Sequence, residues 1–148
     1  MRALLQRVSS ASVSSGGKLL GSIGPGLVVL LGITHSDTEE LAAKLADKAA
    51  RLRIFNDADG RMNLSVADVG GAFLVVSQFT LYADARSGNR PGYSDAARPE
   101  TALPLYRHFT GHLADLGFAV ETGEFGADMQ VEIHNDGPVT VLLDTDEL

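Results

Sequence analysis

Two unbroken apolar runs constrain this chain more than anything else in it. Leu27-Val28-Val29-Leu30-Leu31 and Ala72-Phe73-Leu74-Val75-Val76 are short and show no polar alternation. Runs of this kind read as strands buried on both faces. The chain must therefore build a sheet that contains them. Its 148 residues are one domain's worth, and 1–148 is read as a single domain. A chain of that length hides about 68–70% of its unfolded surface, so it needs no staple. There is no cysteine, which excludes a disulfide framework, a thiolate metal site and a Cys nucleophile. Neither run approaches the ~20 residues of a membrane span. The N-terminal Met1-Arg2-Ala3-Leu4-Leu5-Gln6-Arg7 puts a second charge where a signal peptide would have its apolar core. The expectation is a soluble, cytoplasmic protein.

The rest of the chain arranges itself around those runs. Residues 4–9 alternate, and Ser12-Val13-Ser14 continues extended. Ser15-Gly16-Gly17-Lys18 is a hairpin signal, and Gly24-Pro25-Gly26 is another turn. Ser36-Asp37-Thr38-Glu39 fits a capping box with Ser36 as the cap. Leu41, Leu45, Ala49 and Leu52 follow at helical spacing. The second apolar run is expected to continue as strand through Ser77-Gln78-Phe79-Thr80-Leu81-Tyr82. A loop over residues 83–98 follows, long enough to suggest function. A second helix starts near Pro99 to Pro104, with Leu105, Phe109, Leu113 and Leu116 as its stripe and Gly117 at its end. Three strand-like pieces close the chain, at 119–121, 129–134 and 139–143. Asn135-Asp136-Gly137-Pro138 is read as the turn between the last two. The order predicts an α+β domain on a largely antiparallel sheet with two main helices.

Several familiar sites are missing: a phosphate loop, GxGxxG, GxSxG and HExxH. His108 and His112 are spaced to share a metal, but no third ligand accompanies them. They read as surface histidines flanking a core stripe. His35 and His134 are isolated. Asn56-Asp57-Ala58-Asp59-Gly60 resembles half a calcium loop, yet Ala67 stands where the closing Glu belongs. No metal and no cofactor are expected.

Net charge is −7, from 12 basic and 19 acidic residues. Proteins that live on phosphate contacts usually carry a basic excess. The arginines Arg86, Arg90, Arg98 and Arg107 nevertheless gather around one loop. That leaves two readings, a local basic patch or ordinary solvated charge.

Two segments stand out. Ser77-Gln78-Phe79-Thr80 ends an apolar strand in amide and hydroxyl groups around one aromatic ring. This suits a ligand site, and it equally suits a strand end satisfying its own backbone. Asn135-Asp136-Gly137-Pro138-Val139-Thr140 presents carbonyls in fixed directions, and as a pattern it is first of all a hairpin turn.

Together these segments resemble the two signature motifs of the D-aminoacyl-tRNA deacylases. Further likeness, in the same order, comes from Gln6-Arg7-Val8, Gly24-Pro25-Gly26-Leu27, Leu52-Arg53-Ile54-Phe55, Asp68-Val69-Gly70-Gly71 and the segment 125–131. The resemblance covers essentially the whole chain. It implies a homodimer of compact, β-barrel-like subunits that hydrolyses the ester between a D-amino acid and the 3′-terminal adenosine of tRNA. It implies a cis Gly137-Pro138 turn, braced by Arg7, that enters the partner's site and excludes L side chains by contact. Glycine, without a side chain, would pass, so glycyl-tRNA is an expected substrate. Ser77, Gln78, Phe79 and Thr80 would line the catalytic site. Phe79 and Met129 would lie near the terminal adenine, Ala96 would border the amino-acid pocket, and Thr140 would contact substrate. The expected partners are aminoacylated tRNA and a second copy, with no membrane and no DNA.

Thr80 has no His or Lys beside it in sequence as an activating base. Backbone amides around Phe79 and Thr80, aided by the substrate's 2′-hydroxyl, are the favoured alternative to a Thr80 nucleophile. Gly92-Tyr93 departs from the Ser-Phe that relatives often carry. Retention of Ser-Gln-Phe-Thr favours D-selectivity over the altered chirality of a related group. Two competing readings are a non-enzymatic RNA-binding or assembly module on the same fold, and an esterase for small D-amino esters.

Overall fold

The computed structural model describes residues 1–148. The first strand, β1 (Arg2–Ser15), organises the sheet because it is paired along both edges. On one side it runs antiparallel to β2 (Lys18–Ile23) and then to β3 (Gly26–Gly32). On the other it runs antiparallel to β8 (Gln130–Asp144). Gly16 and Gly17, at φ 57° and 78°, make the two-residue turn into β2, as a primed hairpin turn requires. The strands β6 (Ala72–Ser77) and β7 (Val120–Thr122) extend the sheet beyond β3, both in parallel register. Two crossovers carry those parallel pairings. One contains α1 (Glu39–Arg51) and the small hairpin β4 (Phe55–Asn56) with β5 (Met62–Leu64). The other contains α2 (Pro99–Asp115). The result is the expected α+β architecture, with a mixed sheet curled almost into a barrel. At the closure a Cβ on Gly21 of β2 would lie 3.1 Å from the Thr122 carbonyl of β7.

The two apolar runs are buried on both faces, as their composition requires. Leu27, Val29, Leu31, Phe73 and Val75 enter the core beneath the helices. Val28, Leu74 and Val76 enter a second, smaller core inside the curl, with Val8, Val13 and Ile23. The face that α1 buries is mostly alanine (Ala42, Ala46, Ala49 and Ala50 beside Leu45), which lets α2 approach closely. Phe109 and Leu113 of α2 are fully buried, worth roughly 2–3 kcal/mol each by area. Tyr106 is buried too, and its hydroxyl donates to the Val75 carbonyl at 2.6 Å. Leu116 is exposed, because α2 ends at Asp115 and the chain turns away through Gly117. No helix is long and apolar enough to cross a membrane.

Three local expectations are corrected. The cap of α1 is Thr38, whose Oγ1 accepts from the Leu41 amide, and Ser36 lies outside the helix. Asp37 decides this: its carboxylate is taken by the Thr34 amide and the Met1 ammonium. The apolar strand stops at Ser77, and residues 79–82 form a 3-10 turn, so strand alternation no longer sorts Gln78 from Phe79. Asn135-Asp136-Gly137-Pro138 is not a hairpin turn. The pieces before and after it both pair with β1 as one strand, β8. Gln6 faces Thr140 and Val8 faces Asn135, so Arg7 alone stands opposite residues 136–139. The segment is a wide bulge, with turn-forming residues used to leave the ladder and rejoin it.

At the β3–β6 pairing, a Cβ on Gly26 would fall 1.9 Å from the Ala72 carbonyl oxygen. At Gly24, two residues earlier, it would meet nothing within 4 Å. Gly26→Ala is expected to cost at least ~3 kcal/mol. Gly24→Ala is expected to stay within about 0.5 kcal/mol of wild type. Urea unfolding of both variants checks the pair.

Candidate active site

The site forms where β6 runs out. The Gln78 amide still donates to the Leu31 carbonyl at 2.8 Å, continuing the parallel ladder for one residue. The chain then winds into the 3-10 turn. Leu81 N donates to Gln78 O at 3.3 Å and Ala83 N to Thr80 O at 3.0 Å. Gly32 makes room: a Cβ there would be 2.9 Å from Leu81 Cβ and 3.1 Å from Gln78 O. Tyr82 is buried beneath the turn while Phe79 remains exposed above it. Neither the Phe79 nor the Thr80 amide has an acceptor within the chain, as is usual for the first N–H groups of a helical turn.

The long loop folds back over this turn. Asp84 and Gly92 exchange backbone hydrogen bonds of 2.8 and 2.9 Å. Arg86 forks onto Asp84 at 2.8 and 2.9 Å. The side-chain and amide donors of Arg86 hold the Asp84 carboxyl far below the ordinary carboxylate range. The returning arm is fastened to the end of β3. Thr34 Oγ1 donates to Asp95 O, His35 Nε2 lies 2.6 Å from Ser94 O, and Ala97 N donates to Ile33 O. Tyr93 is thereby set edge-on to Phe79, with ring centroids 5.2 Å apart.

Beneath the two rings lies a cavity of about 390 Å³. Its walls are mostly apolar, with Ser77, Phe79, Ala96 and Met129 among them. Met129 is positioned by Gly123, where a Cβ would come 2.5 Å from the sulfur. Four of the residues proposed from the sequence are thus brought together. Gln78 and Thr80 are not in the wall; they pair with each other, Gln78 Nε2 donating to Thr80 Oγ1 at 2.6 Å. The Thr80 hydroxyl has no basic partner. Burial, reinforced by Asp37 and Asp144, keeps the Tyr82 phenol protonated far above its ordinary value, so it supplies no base either. Tyr93, Arg98 and residues 125–127 also line the cavity. Of these, Arg98 carried no sequence signal beyond its charge.

Arg7, Gly137, Pro138 and Thr140 lie apart, at the bulge. Arg7 points from an otherwise apolar face of β1 and is 5% exposed. Its Nε donates to Asp136 O at 3.2 Å and faces Asp136 Oδ2 at 3.3 Å. Its Nη1 donates to Ile54 O at 2.8 Å and to Asn56 Oδ1 at 3.3 Å. Asn135 spans the base of the bulge, its Nδ2 donating to Arg7 O and Val139 O. Gly137 and Pro138, joined by a cis peptide bond, are exposed at the tip. Gly137 has φ 130°, and a Cβ there would lie 2.9 Å from Val139 N. Thr140 accepts from Gln6 Nε2 at 3.3 Å. None of the four lines the cavity of its own chain.

The sequence pattern of the family described as D-Tyr-tRNA(Tyr) deacylase matches residues 4–144. A D-aminoacyl-tRNA deacylase of Anaeromyxobacter dehalogenans (strain 2CP-C) is 61% identical over 148 residues, covering 100% of this chain and 99% of the relative. One from Thermus aquaticus is 57% identical over 147 residues, covering 99% and 97%. A solved structure described as c-Myc DNA Unwinding Element Binding Protein superposes with a TM-score of 0.92 at 40% identity, covering 97% and 98%. Another, described as a probable eukaryotic D-amino acid tRNA deacylase, has a TM-score of 0.82 at 16% identity over 96% and 97%, a likeness of fold.

Two outcomes follow from this geometry. Arg7→Met removes the buried guanidinium that ties the part-buried carbonyls of Asp136 and Ile54 to β1, and is expected to cost about 2–4 kcal/mol by urea unfolding. The Asp84–Arg86 fork tightens the loop only while Asp84 is ionised. Because the folded carboxyl sits below its ordinary value of 3.8, that contribution is complete above pH 3.8. It is lost as pH falls through the lower folded value. Amide NMR of residues 83–92 should therefore stay unchanged down to about pH 4.

Proposed function

Because the chain belongs to the D-Tyr-tRNA(Tyr) deacylase family, we propose that the cavity under Phe79 and Tyr93 receives the 3′-terminal adenosine of an aminoacylated tRNA. The chain is a hydrolase, a D-aminoacyl-tRNA deacylase acting on the tRNA ester bond. Water adds to the ester carbonyl carbon, the bond to the ribose oxygen breaks, and that oxygen takes a proton. The products are free D-amino acid and tRNA. No cofactor enters this scheme, and we place the protein in the cytoplasm.

The observation that carries the reading is the pair of unbonded amides at Phe79 and Thr80, on the turn whose first ring lines an apolar cavity. Such donors suit an oxyanion that forms when water adds to the ester. Thr80 is a poor nucleophile here, since its hydroxyl is bonded to an amide and lacks a base. The substrate's own 2′-hydroxyl is the better placed group to activate water. Phe79 and Met129 flank the adenine, Ala96 borders the amino-acid pocket, and Ser77 and Gln78 complete the catalytic surroundings.

Chirality is assigned to the bulge. Gly137 and Pro138 are exposed and do not line their own cavity, which suits insertion into the cavity of a second copy in a homodimer. Their carbonyls would meet an L side chain and leave a D side chain pointing outward, with Arg7 holding the bulge rigid and Thr140 beside the substrate. Glycyl-tRNA would pass the same wall. One solved relative is described as a DNA unwinding element binding protein, which favours a second reading, a binding module without turnover.

Side-by-side deacylation of D-Tyr-tRNA and L-Tyr-tRNA tests this. The D ester alone should be cleaved. The Gly137→Ala/Pro138→Ala double variant should lose at least ~100-fold in rate or lose its selectivity. Thr80→Ala should keep activity within about tenfold, and a terminal 2′-deoxyadenosine should lose at least that much. An inactive Thr80→Ala that still binds would restore the nucleophile reading. A folded, dimeric wild type that cleaves neither ester would put the binding module first.

A further inference from the structure

The 3-10 turn that presents the Phe79 and Thr80 amides has little to hold it in shape from within. It spans four residues, and its entry bond, Leu81 N to Gln78 O, is long at 3.3 Å. Short 3-10 segments have poor hydrogen-bond geometry of their own. Part of its position comes from packing on β3 at Gly32, and one side chain adds a polar grip from outside. Arg2, the first residue of β1, donates through Nη1 to the Leu81 carbonyl at 2.8 Å. Its guanidinium carbon lies 4.5 Å from the centroid of the Tyr82 ring. Its Nε donates to Asp144 Oδ2 at 2.9 Å. The other oxygen of Asp144 accepts the Asp146 amide at 3.0 Å, which fixes the carboxylate. One planar cation therefore grips two consecutive residues of the turn and anchors them to the end of β8.

We propose that Arg2 is a positioning residue for the hydrolysis, clamping the turn through Leu81 O, the Tyr82 ring and Asp144 so that the Phe79 and Thr80 amides meet the developing oxyanion. Arg2 does not line the cavity, so it acts through the turn and not on the substrate. The role needs a fork: Nη1 and Nε point at different acceptors while the flat face stacks on a ring. A lysine ammonium cannot do all three. The inference rests on the function proposed above for these amides. It predicts a loss chiefly in the chemical step, because the Phe79 ring keeps its edge contact with Tyr93 and the Ser77, Ala96 and Met129 walls lie outside the turn.

The variants are Arg2→Ala, Arg2→Lys and Asp144→Asn, in the full chain. Arg2→Ala should lower kcat for D-Tyr-tRNA about 10- to 100-fold with KM within about threefold, as expected for a misplaced catalytic group. Arg2→Lys should fall between it and wild type. Adding Asp144→Asn to Arg2→Ala should cost much less than Asp144→Asn alone. Methylguanidinium in the buffer should restore part of the Arg2→Ala rate. Hydrogen exchange should rise at the amides of residues 81–83 and stay at the wild-type level in β1 and β8. An unchanged kcat, or exchange at 81 and 83 equal to wild type, overturns the proposal. A rise in exchange across β1 and β8 also overturns it, since Arg2 would then be holding the fold at large. If wild type cleaves nothing, the function above fails, while the exchange measurement still decides whether Arg2 holds the turn.

Discussion

A guanidinium buried in the first strand is the constraint on which the rest of the structure leans. Arg7 points inward from the same face of β1 as Ala3 and Leu5. Burying an unpaired cation would cost several kcal/mol, so acceptors must be brought to it. The structure finds them in two places, the Ile54–Asn56 segment that opens the small hairpin and the bulge in β8. The second demand shapes β8. A strand in unbroken register would hold its carbonyls in the ladder, where β1 already uses them. By leaving the ladder for four residues, β8 turns the Asp136 carbonyl toward Arg7 and exposes Gly137 and Pro138. Asn135 then replaces ladder bonds lost at the base with two from its side chain. The cation and the bulge are one construction, and no buried side-chain polar atom is left without a partner.

The site beside β6 is built by the opposite device, a strand that stops early. β6 ends at Ser77 because Gly32 leaves space for the backbone to turn down over β3. Ending there leaves amides free at Phe79 and Thr80, and Tyr82 closes the space beneath. The long loop is ordered less by its own sequence than by where its ends are tied, to Ile33, Thr34 and His35 at the end of β3. The cavity is thus a gap between a turn and a loop that are both pinned to the same strand. That arrangement lets an apolar pocket open to solvent without loosening the core behind it.

Much of this was legible in the sequence, for identifiable reasons. The apolar runs announced strands buried on both faces, the Gly16-Gly17 turn announced a hairpin, and the spacing of Leu105, Phe109 and Leu113 announced α2. The signature segments pointed to Ser77 and Phe79, and the family likeness added Ala96 and Met129. All four meet in one cavity. What was misread was decided at a distance. Ser36 and Thr38 are equivalent caps locally, and only the capture of Asp37 by the Met1 ammonium and the Thr34 amide separates them. Asn-Asp-Gly-Pro has the same local chemistry in a hairpin turn and in a bulge. Only the pairing of both flanks with one strand tells them apart. The strand expected to continue through Tyr82 stopped at Ser77 because Gly32, 46 positions before Gln78 in the chain, permitted a turn. An arginine in an apolar strand signalled that partners were needed, but nothing local named Ile54 or Asn56.

Charge sets the manner in which such a protein can meet its RNA. The molecule carries −7 overall, so an extended polyanion gains nothing from the body of the protein. The loop arginines do not all compensate. Arg86 already pairs with Asp84 in a surface fork. What remains beside the cavity is Arg98 on its wall, with Arg90 free of any carboxylate partner in the loop. Two cations support a footprint of very few phosphates. Affinity on the proposed reading then has to come from enclosing the end of the chain, by stacking against Phe79 and filling an apolar space, rather than from tracking a backbone. A protein that reads only the terminal nucleoside and its ester has no need to distinguish one tRNA from another. On the proposed reading its discrimination falls instead on the one feature that differs within the cavity, the direction of the amino-acid side chain.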